Sequence, residues 1–141
     1  MANIVPDSFK KELLLATHNF NTTGGDTYQL ALYTTVTGFS AAGTTNYITT
    51  NEASGTGYTA AGAALTTTTI TVSSNVALVD FSDLTFSSAT ISASAALIYN
   101  TSKSSKAVVV LDFGGTKTST NGDFTIQFPT ADSSNAIIRI S

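Results

Sequence analysis

Residues 66–81 read TTTTITVSSNVALVDF. Thr68, Ile70 and Val72 alternate with Thr69 and Thr71, so β-branched side chains recur with a period of two, which suits a pleated strand rather than a helix. Ser73-Ser74-Asn75 supplies turn chemistry, and Val76 to Phe81 returns as a second apolar run. Strand, tight turn and strand follow one another with no room for a helix between them, so this stretch predicts a β-hairpin and an antiparallel fold.

The same signals continue on both sides. After Gly24-Gly25-Asp26, Tyr28, Leu30 and Leu32 fall on one face, with Gln29 and Ala31 on the other, as in a half-buried strand. Residues 37–63 are poor in bulky apolar groups and predict a long surface excursion, with a short strand near Tyr47-Ile48-Thr49. Leu84 to Phe86 predicts a short strand. Ile91 to Tyr99 predicts a long one, whose Ala93, Ala95 and Ala96 permit close packing. Asn100 to Ser105 reads as a polar turn. Ala107 to Phe113 is the most apolar run and predicts a strand buried on both faces, stopped by Gly114-Gly115. Asn121-Gly122 marks a further turn, Phe124, Ile126 and Phe128 alternate with Thr125 and Gln127, and Ile137 to Ile140 forms a last strand.

One helix is expected, over Pro6 to Thr17. Pro6 fits a first helical turn, and Asp7 complements the positive end of the helix dipole. Phe9, Leu13, Ala16 and Phe20 recur at helical spacing, with Lys10, Lys11 and Glu12 facing away and His18 and Asn19 closing the last turn. One helix and about eight strands at short spacings predict an all-β protein, an antiparallel β-sandwich or jelly-roll-like fold. The 141 residues suit a single β-sandwich domain, with residues 1–20 as an N-terminal arm and helix.

Charged residues make up 11% of the chain and the net charge is -3. The six basic residues, Lys10, Lys11, Lys103, Lys106, Lys117 and Arg139, are scattered, so no nucleic-acid footprint is present. Cysteine is absent, which excludes disulfides and thiolate metal sites. No long apolar run predicts a membrane span, and Leu13-Leu14-Leu15 is too short for the core of a signal peptide. Synthesis in a cytosol without export is therefore expected. A surface so low in charge is a solubility liability for a free monomer and less of one for a subunit packed in an assembly.

Four motifs were tested against the context their chemistry needs. Gly55-Thr56-Gly57-Tyr58-Thr59-Ala60 matches a loose dinucleotide fingerprint, but a strand follows it where the mechanism requires a helix N-terminus. Asp112-Phe113-Gly114 spells the magnesium-binding tripeptide of kinases without the rest of a kinase. His18 is the single histidine, with no nucleophile elbow in the chain, so a capping or surface role is expected for it. Asp80 and Asp83 are the closest carboxylate pair and lack the spacing of a calcium loop. No enzyme activity, cofactor or metal is expected from these residues.

Three stretches nonetheless carry a resemblance: VPDSFKKELL (residues 5–14), YITTNEASGTGYTAAG (residues 47–62), and the run from Ala89 to Gly115 that contains ATISASAALIYN and KAVVVLDFGG. Together and in this order they resemble a family of small tailed-phage proteins, mostly of unassigned role. Relatives are expected to carry Arg near the position of Ser94 and often Trp near Phe86, and this chain departs from both. The resemblance implies a virion structural protein made in the bacterial host cytoplasm. Its expected role is a decoration (cement) protein on the outer capsid lattice, with a neck, tail or fibre-base subunit as the alternative. The implied partners are the major capsid protein or other virion subunits and further copies of the chain, a trimer at lattice three-folds being the guess, with no nucleic acid and no membrane. Residues 1–5 and 37–63 are the expected intermolecular contacts, with Ile4, Val5, Tyr47, Asn51, Glu52, Thr56 and Tyr58 as the candidate contact residues. A competing class is a carbohydrate-binding β-sandwich module, which would present Tyr33, Tyr47 and Tyr58 together on one surface.

Overall fold

The structure, a computed structural model, describes residues 3–141. It contains one helix, α1 (Asp7–Leu14), and seven strands: β1 (Tyr28–Tyr33), β2 (Ala63–Leu65), β3 (Thr67–Ser73), β4 (Val76–Phe81), β5 (Leu84–Asn100), β6 (Lys106–Ile126) and β7 (Ile138–Ile140). They form two antiparallel sheets, one of four strands in the order β2-β1-β5-β6 and one of three in the order β3-β4-β7. The fold is thus all-β and sandwich-like, as the periodicity predicts.

The hairpin of residues 66–81 forms as expected, with register Ser73↔Val76, Thr71↔Leu78 and Ile70↔Val79. Ser74 and Asn75 both take positive φ, 48° and 65°, the backbone of a type I′ turn whose twist matches the flanking strands.

Seven strands replace about eight because two expected stops are not stops, which removes two, and the short β2 (Ala63–Leu65), not expected as a strand, adds one. Leu84–Phe86 and Ile91–Tyr99 merge into β5, and the runs on either side of Gly114-Gly115 merge into β6. The two strands pair over nearly their whole length, with irregularities where glycine and positive-φ residues sit. Residues 113–116 bulge out opposite Ser94 alone, between the pairs Ala93↔Lys117 and Ala95↔Asp112, and Gly114 (φ 71°) and Gly115 (φ 151°) make that detour. Thr120 and Asn121 stand against Thr90 alone, with Asn121 at φ 48°. Turn-forming residues therefore re-aim a long ribbon here, because a continuous partner strand keeps the ladder going on both sides of each bulge.

The central sheet is buried on both faces. On one face Tyr28, Leu30, Leu32, Ile98, Val109 and Leu111 pack against Phe9, Phe20, Val79, Phe81 and Ile138, which come from the helix, the loop after it and the second sheet. On the other face Ala31, Tyr33, Leu97, Tyr99 and Val110 pack against Ile4, Val36, Phe39 and Tyr47. Hence β1 is not half-buried: Ala31 is as inaccessible as Leu30 and Leu32. The segment between β1 and β2 is likewise not a free surface excursion: its Val36, Phe39 and Tyr47 cover that second face, and its Ala53 and Tyr58 pack with the first-face cluster. It forms no strand at residues 47–49 and is tied to the sheet by the bridges Tyr33↔Glu52, Asn46↔Lys106 and Thr56↔Thr90. Of the expected buried run Ala107 to Phe113, Ala107–Leu111 is buried throughout, whereas Asp112 and Phe113 are half-buried where the bulge begins.

The helix is shorter than expected. Pro6 lies outside it as an extended N-cap, and the helix ends at Leu14 with Leu15 as C-cap. Ala16 (φ 55°) takes the left-handed position. The Ala16 N–H bonds Leu13 O and the Thr17 N–H bonds Glu12 O, which closes a Schellman motif with alanine where glycine is usual. Glu12, expected to face solvent, turns inward, and His18 and Asn19 lie beyond the helix end.

Two-sided burial makes a direct prediction at Ala31. A half-buried β1 would tolerate Ala31→Lys. The observed packing makes the ammonium a buried unpaired charge, costing about 4 kcal/mol or more of a total stability near 5–15 kcal/mol. Urea denaturation of the variant checks this, and stability within experimental error of the parent would contradict it.

Candidate functional site

The segment between β1 and β2, which reaches both faces of the sheet, is organised by one carboxylate. Glu52 Oε2 accepts from the Tyr47 hydroxyl at 2.6 Å, and Oε1 accepts from the Tyr58 hydroxyl at 2.7 Å and from the Ala61 backbone N–H at 2.6 Å. The Tyr58 oxygen in turn accepts from the Leu32 N–H at 3.0 Å. That N–H would otherwise go unsatisfied inside the fold. The Tyr33 hydroxyl donates to Ile48 O at 2.6 Å, and Tyr47 stacks on Tyr99 at a centroid distance of 4.9 Å. The Tyr99 oxygen lies 2.6 Å from Ala61 O and 2.8 Å from Gln29 Oε1. Bonds from hydroxyls to an ionised carboxylate are charge-assisted, so three donors on one glutamate clamp residues 47, 52, 58 and 61 together.

The glycines of this segment follow from that close packing. A Cβ on Gly62 would overlap the carbonyl of Leu30, and one on Gly55 would overlap the carbonyl of Thr90. The Gly-Thr-Gly stretch is therefore a close approach of loop to strand, and strand β2, not a helix, follows it.

The seven candidate contact residues divide by position. Val5, Asn51 and Thr56 are exposed. Ile4 is half-buried and exchanges two backbone hydrogen bonds with Val110, at 2.9 and 2.8 Å. Thr56 accepts at its backbone oxygen from the Thr90 N–H. Tyr47, Glu52 and Tyr58 are brought together, but with their polar ends turned onto one another inside the molecule. Tyr33, Tyr47 and Tyr58 do converge, yet Tyr33 is fully buried and the other two are half-buried with their hydroxyls engaged. They do not form the open aromatic platform that a sugar would stack on. Of the expected arm at residues 1–5, residues 1 and 2 lie outside the described residues.

His18 belongs to a second polar cluster, at the end of the sheet beneath the helix. Asn100 Oδ1 accepts from the Ser102 N–H, which fixes the amide orientation, so Nδ2 faces both His18 Nδ1 at 3.0 Å and Asp26 Oδ2 at 2.8 Å. His18 Nδ1 must then be the acceptor, and the ring proton sits on Nε2, 2.8 Å from Glu12 Oε2. Lys106 Nζ donates to Glu12 Oε1 at 2.8 Å. Every ring atom able to bond is used to tie the helix and the loop after it to the β5–β6 connection. His18 is thus a buried linker rather than the expected capping or surface residue, and its hydrogen-bond partners are Glu12 and Asn100, not a serine.

The remaining motifs have local partners. Asp112 Oδ1 accepts from the Gly114 N–H at 2.8 Å, shaping the bulge. Asp80 accepts from the Thr68 hydroxyl, whereas Asp83 accepts from the Phe128 N–H, so the two carboxylates serve different elements. Among the described residues no group of three or more His, Asp or Glu side chains is placed to hold a metal ion.

Two surface features were not foreseen. One is an open groove of about 450 Å³ at the bulged end of β6, with Phe113, Phe124, Phe128 and Ile137 among its apolar residues and Asp112 and Lys117 among its charged ones. The other is the end of the small sheet that overhangs the core, where Ile70, Val72 and Ile140 are 46%, 68% and 54% exposed. A hint of the second was present in the sequence, since no charged residue occurs between Leu65 and Val79. Comparison with family models, with curated proteins and with solved structures finds no match for this chain.

Two pH effects follow. Burial, reinforced by the Glu52 carboxylate at Tyr33, Tyr47, Tyr58 and Tyr99 and by Asp26 near Tyr28, raises all five tyrosine hydroxyls, Tyr99 to about 12 and the others further. The folded state therefore holds protons that the unfolded chain loses above pH about 10, so stability declines as pH rises past that value. Tyrosinate absorbance is expected to stay flat through pH about 11 and to appear together with cooperative unfolding. Stepwise ionisation of a folded chain near pH 10 would contradict the buried cluster.

At the acid end, desolvation raises Glu12 and Asp26, but it is outweighed. Lys106 and His18 bring Glu12 below its ordinary value, and Asn100 and the Asn19 N–H do the same for Asp26. Depressed carboxylates stabilise the fold above their unfolded pKa and lose that contribution as pH falls through the folded one. Stability should thus hold from neutral pH down to about 5 and fall below about 4, with a shallower fall in Glu12→Gln. Denaturant titrations at neutral and acid pH read both slopes.

Proposed function

We propose that this chain is a non-enzymatic structural subunit of a tailed-phage particle, and specifically a decoration protein bound to the outer face of the capsid lattice. The observation that carries this reading is the contrast between the chain's two kinds of surface. The extended segment expected to reach out is spent on covering its own sheet, while the β3-β4-β7 sheet leaves Ile70 and Val72 exposed in a stretch without charges, with Ile140 exposed on the same face. A chain with 11% charged residues and an open apolar sheet is suited to life against other subunits. The three stretches that resemble small phage proteins supply the kind of assembly. In a lattice, many copies each make a modest contact, and repetition supplies the avidity that one contact lacks.

The neck, tail or fibre-base position is the runner-up, and it predicts a different stoichiometry. Quantitative mass spectrometry of purified particles is expected to find the chain in hundreds of copies, on the order of the number of shell subunits. About a dozen copies or fewer would place it at the neck or tail, and absence from the particles would overturn the virion reading altogether.

A further inference from the structure

We propose that β3 is a self-pairing edge, through which two copies of this chain join antiparallel into one six-stranded sheet in the order β7-β4-β3-β3-β4-β7. Strand β3 pairs only with β4, so one side of its backbone is open. The type I′ turn at Ser74-Asn75 determines which groups lie on that side. In a two-residue hairpin the flanking residues, here Ser73 and Val76, exchange hydrogen bonds, and the pattern then alternates. Thr71 and Thr69 accordingly point their N–H and C=O groups at β4, and Val72 and Ile70 point theirs outward, while the register irregularity between Thr67 and Thr69 ends the alternation at Thr68. No other backbone or side-chain group among the described residues reaches those outward groups.

A free edge of this length is normally guarded by a charge, a proline or a covering segment. The edge of β6 shows such protection, because Ile4 pairs with Val110 and Asn3 Oδ1 accepts from the Asp112 N–H. Lys117 and Asp123 stand further along the same strand. Strand β3 carries the sequence TTTITVS, which has no charge and no proline and is rich in β-branched residues. The register places Ile70, Val79 and Ile138 in one row and Val72, Ala77 and Ile140 in the next, on the same face of the sheet. Val79 and Ile138 are buried in the core, whereas Ile70, Val72, Ala77 and Ile140 continue that apolar face into solvent.

A second copy is the occupant that fits every one of these features. Antiparallel pairing about a two-fold axis at Ile70 sets Ile70 against Ile70 and each Thr68 against the other copy's Val72. The outward groups of the two Ile70 residues then bond each other, and each outward Val72 lies against the bulge at the other copy's Thr68. Such a contact is isologous and closes after two copies, so it satisfies both edges without leading to a filament. It brings no like charges together and extends the Ile70 row across the joint. The contact is small by the standard of permanent dimers, so the association is expected to be concentration-dependent in free solution.

Sedimentation of the full chain from micromolar to near-millimolar concentration tests the pairing. The expected result is a reversible rise from the monomer mass towards twice that mass. Ile70→Lys sets like charges opposite each other, and Val72→Pro removes an outward donor, so each should weaken association by about tenfold or more. Both sites are exposed, so thermal unfolding of the monomer should change little. Ile48→Lys, which removes an exposed apolar side chain elsewhere, should leave association intact. A monomer at every concentration, a trimer, or a dimer indifferent to Ile70→Lys would overturn the proposal. Should the charged variant fail to fold, Ile70→Thr, which keeps a β-branched side chain, is expected to fold and still to weaken the dimer. The pairing is a property of the edge, so its failure would leave copy number in the particle untouched, and the reverse holds equally.

Discussion

The constraint on which the rest of this structure depends is a central sheet that is apolar on both faces. Strands β1, β5 and β6 place Leu30, Leu32, Ile98 and Val109 on one side and Ala31, Tyr33, Leu97 and Val110 on the other, all buried. A sheet of this kind needs two covers. The first is assembled from the helix, the aromatic residues Phe9 and Phe20, and the small second sheet. The second is made largely from Val36, Phe39 and Tyr47, in a segment between β1 and β2 with almost no regular structure, whose later part returns to the first face at Ala53 and Tyr58.

That second cover explains why a carboxylate sits where it does. A loop laid on a sheet must satisfy its own polar groups without a ladder of its own. Glu52 answers this by collecting two tyrosine hydroxyls and one backbone N–H, and Tyr58 passes the connection on to the N–H of Leu32. The glycines at 55 and 62 let the loop lie close enough for those bonds to form. The composition of residues 47–62 therefore has an internal reason. Only its exposed points, Asn51 and Thr56 among the candidate residues, face outward.

Much of the fold was legible because its signals are local. The hairpin at 66–81, the buried run Ala107–Leu111 and the helix near the start follow from periods of two and 3.6 and from turn residues. The misreadings share one cause. Gly114-Gly115 and Asn121-Gly122 carry turn chemistry, yet they act as bulges, because a bulge and a turn need the same backbone conformations and differ only in whether the partner strand continues. Glu12 was placed outside because a charged residue normally is. It lies inside because Lys106, far along the chain, and His18 supply its partners. Ala31 looked solvent-facing because alanine is compatible with either side.

By itself the sequence determined the class of structure: an antiparallel, all-β chain with a short helix near its start, low in charge and with an uncharged β-branched hairpin. Those properties belong to neighbouring residues, and neighbouring residues set strand, helix and turn. Only the tertiary structure decided which faces are covered and which edge is left open. The 34–62 segment became a second layer rather than a free arm, and His18 became a buried linker with its proton on Nε2. β3 became a free edge with Ile70 and Val72 in solvent. Burial and exposure are relations between parts of the chain far apart in sequence, and periodicity carries no information about what a face will meet.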